Sequence, residues 1–116
     1  MSFLSKDTIC AIATASGTAA VSMIRISGKD SHKIAHSRFI RKNKLSLHDI
    51  IPNRMYYGEI TDLSDKVIDD VMVTFFKAPH SYTGEDSVEI VCHGSIFIQN
   101  KILEILIQSG ARLAEA

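Results

Sequence analysis

The stretch Ala78-Pro79-His80-Ser81-Tyr82-Thr83-Gly84-Glu85-Asp86-Ser87-Val88-Glu89-Ile90-Val91-Cys92-His93-Gly94 decides how the chain is read. Its first half gathers Pro, Ser, Thr, Gly and two carboxylates, which predicts a tight polar loop with a turn at Gly84 and Asp86 bonded to local amides. Its second half alternates: Val88, Ile90 and Cys92 face one way, Ser87, Glu89 and Val91 the other, the period of a half-buried strand. The His93-Gly94 corner ends that strand and opens onto a helix, where free amides could meet an anion as readily as serve an ordinary helix entry. Loops carried by rigid elements are where binding groups concentrate. Glu89 is the anomaly of the strand, an ionisable side chain between Val88 and Ile90.

Upstream, Val21–Ser27 alternates in the same way, with Val21, Met23, Arg25 and Ser27 on one face and Ser22, Ile24 and Ile26 on the other. Arg25 is a cation planted mid-strand among apolar neighbours and needs a partner. Before it, Thr8–Ala13 predicts a strand followed by a turn at Gly17. After it, Asp30 or Ser31 caps a helix with Ile34, Ala35, Phe39 and Ile40 inward and His32, Lys33 and His36 outward. Arg41–Pro52 is basic and irregular, a loop. Met55–Thr61 and Val67–Phe76 predict a hairpin across Asp62–Lys66. The second run is apolar on both faces, so it predicts a central strand with helices on one side and a further cover, such as a second subunit, on the other. Ser95–Gln108 is the strongest helix, closed by Gly110, with an apolar stripe wide enough for contact on two sides. Irregular alternation of strands and helices with hairpin signals predicts an α+β fold, a mixed or antiparallel sheet with helices packed on it.

Composition narrows the function. A chain of 116 residues, 46% hydrophobic and 22% charged, is one ordinary globular domain, here residues 1–116. Cys10 and Cys92 form no paired spacing and predict buried thiols in a reducing compartment. The N-terminus is no signal peptide and no run reaches the roughly 20 apolar residues that span a bilayer, which predicts a cytoplasmic protein with no membrane contact. Net charge is zero, yet Lys29, Lys33, Arg38, Arg41, Lys42, Lys44 and Arg54 crowd one segment opposed only by Asp30 and Asp49. That segment is either a solvated surface or an RNA-binding face. His32 and His36 stand one helical turn apart, but no third ligand accompanies them, so no metal site is predicted.

No phosphate-cradling or dinucleotide-binding glycine loop and no Ser or Cys nucleophile motif is present, so the chain reads as a non-catalytic binding module. Arg25 and Glu89 are its candidate site. A carboxylate in a partly dry pocket accepts from two adjacent N–H donors, such as the amino-pyrimidinone edge of a pterin, and a guanidinium suits ligand oxygens. Alternatively the two neutralise each other. Tyr82 could stack on a flat ring, and Glu85 or Asp86 could accept hydrogen bonds.

Asp7-Thr8-Ile9, Arg25-Ile26-Ser27-Gly28, Ala78-Pro79, Ser81 through Asp86, Val88-Glu89-Ile90, Cys92-His93-Gly94 and Gly110 through Glu115 recur in order along essentially the whole chain. In these blocks the chain resembles the N-terminal domain of the bacterial tRNA-modification GTPase family, MnmE or TrmE. The resemblance implies a domain like the folate-binding domain of glycine-cleavage aminomethyltransferases. It further implies a homodimer binding 5-formyltetrahydrofolate near its interface, with Arg25 and Glu89 on the folate-binding positions. It also implies a longer protein with a helical domain and a GTPase domain using GTP, magnesium and potassium. With a flavin-dependent partner of the MnmG (GidA) type, that protein modifies C5 of the wobble uridine of tRNA. The chain departs from the family at Ala15-Ser16-Gly17-Thr18-Ala19, where the family is rich in Pro, Gly and Arg, and at Ala116, where the family continues Pro-Gly-Glu-Phe. A structural dimerisation module and an RNA-binding module are the alternatives.

Overall fold

The computed structural model describes residues 7–13 and 20–114. The predicted turn at Gly17 and the divergent loop at 15–19 lie outside them. Among the described residues, the strands are β1 (Ile9–Ile12), β2 (Val21–Ser27), β3 (Phe39–Ile40), β4 (Met55–Thr61), β5 (Val67–Phe76), β6 (Ser87–His93) and β7 (Arg112–Leu113), with helices α1 (Ser31–Arg38) and α2 (Ile96–Gln108). The strands form one sheet in the order β3-β4-β5-β6-β2-β1-β7. Every pairing is antiparallel except β1 with β7, which is parallel, so the fold is α+β with a mixed sheet.

The alternation read in each strand becomes a division of the sheet into two faces. Ile24 and Ile26 of β2, Val71, Val73 and Phe75 of β5, and Val88, Ile90 and Cys92 of β6 are buried and meet the helices. Ile34 and Ala35 of α1 and Ile102, Ile105 and Leu106 of α2 close the same core. The other face carries Val21, Met55, Tyr57 and Met72 at 38–66% exposure, and nothing among the described residues covers it. The central position expected for β5 holds, with helices on one of its faces.

Local chemistry sets the element ends. Ser95 caps α2 by accepting from the Ile98 N–H at 3.3 Å. Beyond Gln108, the Gly110 and Ala111 N–H groups donate to Ile107 and Leu106, the paired bonds of a Schellman terminus. Asp30 precedes α1, but its side chain makes no capping bond; its N–H donates to Thr8 Oγ1 instead. α1 stops at Arg38, earlier than its apolar spacing predicts, because Phe39 and Ile40 leave to pair with Ile60 and Glu59 of β4. Phe39 is buried and Ile40 is half exposed. Gly58 opposite them leaves room for the Phe39 ring, which a Cβ at that position would strike at 2.6 Å.

The two histidines of α1 are not outward. His32 Nε2 lies 2.9 Å from Phe76 O with its ring edge-on to Phe75, and His36 Nε2 lies 2.6 Å from Leu45 O. Both fasten the helix to neighbouring backbone, which explains their partial burial. Among the described residues no three His, Cys, Asp or Glu side chains come together as a metal site. Cys10 and Cys92 are free and buried, and burial pushes each thiol up from 9.0 to about 11. Asp69 beside Cys92 adds to that rise. The wide apolar stripe of α2 is half used: Ile98 and Leu103 pack on the core, whereas Ile96, Phe97 and Ile107 stay exposed.

Candidate functional site

β2 and β6 are neighbours, and their register sets Arg25 directly opposite Glu89. Cross-strand partners always share a face, so two residues 64 positions apart meet on the side away from the helices. Arg25 donates from Nε (3.2 Å) and Nη2 (2.9 Å) to the same Glu89 oxygen, Oε2. Among the described residues, Oε1 accepts no hydrogen bond. The side chains are 26% and 21% exposed. A pair at that depth is neither fully screened by water nor sealed from it. Its flanking partners along the same row are small, Ala11 on β1 and Thr74 on β5, so the pair is not overhung by the sheet. The adjoining row is apolar, with Met23, Val91, Met72 and Tyr57 in register.

The loop between β5 and β6 folds over one end of this pair. Gly84 takes φ +81°, the left-handed conformation expected of it, and Asp86 Oδ1 accepts from the Ala78 N–H at 2.8 Å. The Tyr82 ring sits 4.7 Å from the Arg25 guanidinium although the residue is 85% exposed. Glu85 does not reach Arg25 or Glu89. Its Oε2 accepts from Ser27 Oγ at 3.0 Å. A cavity of about 230 Å³ opens between β1 and Arg25, Ser27 and Thr83.

The other predicted features resolve differently. The His93 N–H donates to Asp69 Oδ2 at 2.8 Å and the Gly94 N–H to Ala20 O at 3.2 Å, so the corner amides offered to an anion are committed within the fold. His93 Nδ1 also meets Asp69 Oδ1 at 2.7 Å. In the basic segment, Arg38 donates to Asp62 O and Arg41 to Tyr57 O while covering the Tyr56 ring. A larger hollow of about 510 Å³ borders Arg41, but Glu59 and Asp70 line it beside the cations and blunt it as an anion site. Sequence reasoning missed Ser27 and Thr83 as site residues. Alternation does place Ser27 on the face of Arg25, but a serine at a strand end carries no further flag.

These features define a class: a small α+β domain whose mixed sheet carries helices on one face and a paired cation and carboxylate on the other. Residues 8–116 match the family described as the GTP-binding protein TrmE N-terminus, and the chain belongs to that family. It is 47% identical over 111 residues to the tRNA modification GTPase MnmE of Porphyromonas gingivalis, covering 95% of this chain and 23% of that protein. The proteins of the same name from Parabacteroides distasonis and Fervidobacterium nodosum are 48% and 43% identical, over 94% and 97% of this chain and 24% of each relative. The chain thus spans about a quarter of these relatives' length. Among the described residues no helix is long and apolar enough to cross a membrane.

Proposed function

We propose that this domain binds a tetrahydrofolate one-carbon donor, 5-formyltetrahydrofolate or a close relative, at Arg25 and Glu89. We further propose that a second copy of the chain covers the open sheet face. The observation that carries the reading is the Arg25–Glu89 pair, aligned by register on the face away from the helices, with Glu89 Oε1 accepting no hydrogen bond among the described residues and a cavity beside Arg25. The residues suit the group. Glu89 accepts from the adjacent N–H donors of the pterin edge, using Oε1 and sharing Oε2 as Arg25 turns toward a ligand oxygen. At about 230 Å³ the cavity is smaller than the roughly 300–1,000 Å³ of drug-sized sites, so it holds the ring head and leaves the rest of the molecule along the face. In the apolar row of Met23, Val91, Met72 and Tyr57, the exposure of Met72 and Tyr57 supports a covering second copy, which would exclude water on that side.

In the whole protein this domain serves a cytoplasmic GTPase that modifies C5 of the wobble uridine of tRNA. It works with a flavin-dependent partner, and GTP, magnesium and potassium belong to a separate domain. The family description and the names of the relatives support GTP binding and tRNA modification by the whole protein, and the sequence resemblance implies the rest. The chain's own residues bind and orient the donor, and no residue here is assigned to hydrolysis.

Calorimetric titration of 5-formyltetrahydrofolate into the chain and into Glu89→Gln tests the site. Loss of one charge-assisted hydrogen bond weakens binding about tenfold or more. Equal affinity for both proteins removes Glu89 from the site.

A further inference from the structure

Tyr82 presents a physical problem. Its ring lies over Arg25 at 4.7 Å, yet it is 85% exposed, so core packing does not hold it there. A single exposed cation–π contact contributes about 0.5–1 kcal/mol, too little to fix a tyrosine on a polar loop. The restraint must come from its neighbours in the chain, and Thr83, next in sequence, is tied to the sheet.

Ser27, the last residue of β2, is 5% exposed and two positions beyond Arg25 on the same face. Its Oγ lies 2.8 Å from Thr83 Oγ1 and 3.0 Å from Glu85 Oε2. A serine hydroxyl has one proton. Glu85 as a carboxylate can only accept, so Ser27 donates to Glu85, and Thr83 donates to Ser27. The result is a directed chain, Thr83 O–H to Ser27 O–H to the Glu85 carboxylate, ending on a charge that strengthens it. Within the loop, Ser81 Oγ donates to Glu85 O and Ala78 N–H to Asp86 Oδ1, and its far end is tied to the residue after β2 by the Gly28 N–H donating to Asp86 O. Within this frame, and among the described residues, the Ser27 chain is the side-chain hydrogen-bonded tie between the middle of the loop and the strand that bears Arg25.

We propose that Ser27 is a positioning residue that, through Thr83 and Glu85, holds Tyr82 over Arg25 and so sets the stacking face offered to a planar ligand. The ligand part of this statement rests on the proposed function; the latch itself does not. A planar ligand meeting Arg25 meets Tyr82 as well, and a latched Tyr82 presents one fixed face instead of a mobile side chain that must be ordered on binding.

Two measurements separate the latch from the ligand reading. In the unliganded chain, hydrogen exchange of amides in residues 80–86 is expected to quicken about tenfold in Ser27→Ala and in Thr83→Val, with β5 and β6 unchanged, and to return in Ser27→Thr, which keeps the hydroxyl. Unchanged exchange in both Ser27→Ala and Thr83→Val overturns the latch, whether or not the chain binds folate. By calorimetry with 5-formyltetrahydrofolate, Ser27→Ala is expected to bind several-fold more weakly and the Ser27→Ala/Tyr82→Ala double variant no more weakly than Tyr82→Ala alone, because Ser27 acts through Tyr82. Additive losses overturn the positioning role. Absence of binding by the unmodified chain overturns the proposed function and leaves the exchange result to decide the latch.

Discussion

The two faces of the sheet are made by the same strands and solve opposite problems. On the helix face, β5 contributes Val71, Val73 and Phe75, all buried, with Phe75 between the His32 and Tyr56 rings. On the other face the same strand contributes Met72 and Thr74, and its neighbours contribute Arg25, Glu89 and Tyr57. One side is close-packed hydrocarbon, where every lost methylene is felt. The other is a charged pair set among small and apolar side chains, with only the exposed Tyr82 ring over Arg25 among the described residues. The difference teaches that β6 is a structural strand at Val88, Ile90 and Cys92 and, at Glu89, presents a charged group to the opposite face.

The largest expected effect falls on the packed face. Phe75→Ala should cost about 3–5 kcal/mol in urea denaturation. Met72→Ala, one residue away on the open face, should cost less than about 1 kcal/mol in the monomer but weaken self-association in sedimentation. If both variants lost similar stability, the two-face contrast would break. Next comes Glu89→Gln, which leaves the partly buried Arg25 without its anion. A destabilisation of about 1–3 kcal/mol is expected, where a solvated surface pair would cost near zero.

The thiols sharpen the comparison from the packed side. Each has its pKa raised from 9.0 to about 11 by burial, so the folded state favours the neutral form. Their contribution is fully present below pH 9 and is lost as pH rises toward about 11, because the unfolded chain releases these protons first. Disulfide-reagent titration at pH 8 should detect both thiols in urea and react slowly with the native chain; fast native reaction would mean the packed face opens readily. The smallest effect lies in the hairpin. Asp62 accepts from the Lys66 and Ser64 N–H groups, and the Lys66 bond above all holds its carboxyl below the usual 3.8. That stability is present above the unfolded carboxylate value and is lost as pH falls through the lower folded one. In acid melts the unmodified chain should lose more than Asp62→Asn.

Much of this was legible in the residues. The β4–β5 hairpin, the span of α2 and the alternation of β2 and β6 follow from periodicity and turn chemistry alone. Alternation also fixes which neighbours share a face within one strand, so Arg25 and Ser27 were paired in advance. It cannot say which strands adjoin, and the meeting of Arg25 with Glu89 depends on β2 lying beside β6 in one register. Two-residue strands such as β3 and β7 are too short to carry a period, which is why Phe39 and Ile40 read as helix. His32 and His36 read as outward, and the His93-Gly94 corner as a helix entry with free amides, because their partners, Phe76, Leu45, Asp69 and Ala20, are backbone or distant groups that no local pattern announces.

The most direct test of the central claim is a nuclear magnetic resonance titration of the labelled chain with 5-formyltetrahydrofolate, following the Arg25 Nε–H and the backbone amides. The account predicts shifts at Arg25, Glu89 and residues 82–85, with α2 and the segment around Arg41 silent. Shifts centred on α2 or Arg41, or none at all in a folded sample, would contradict it.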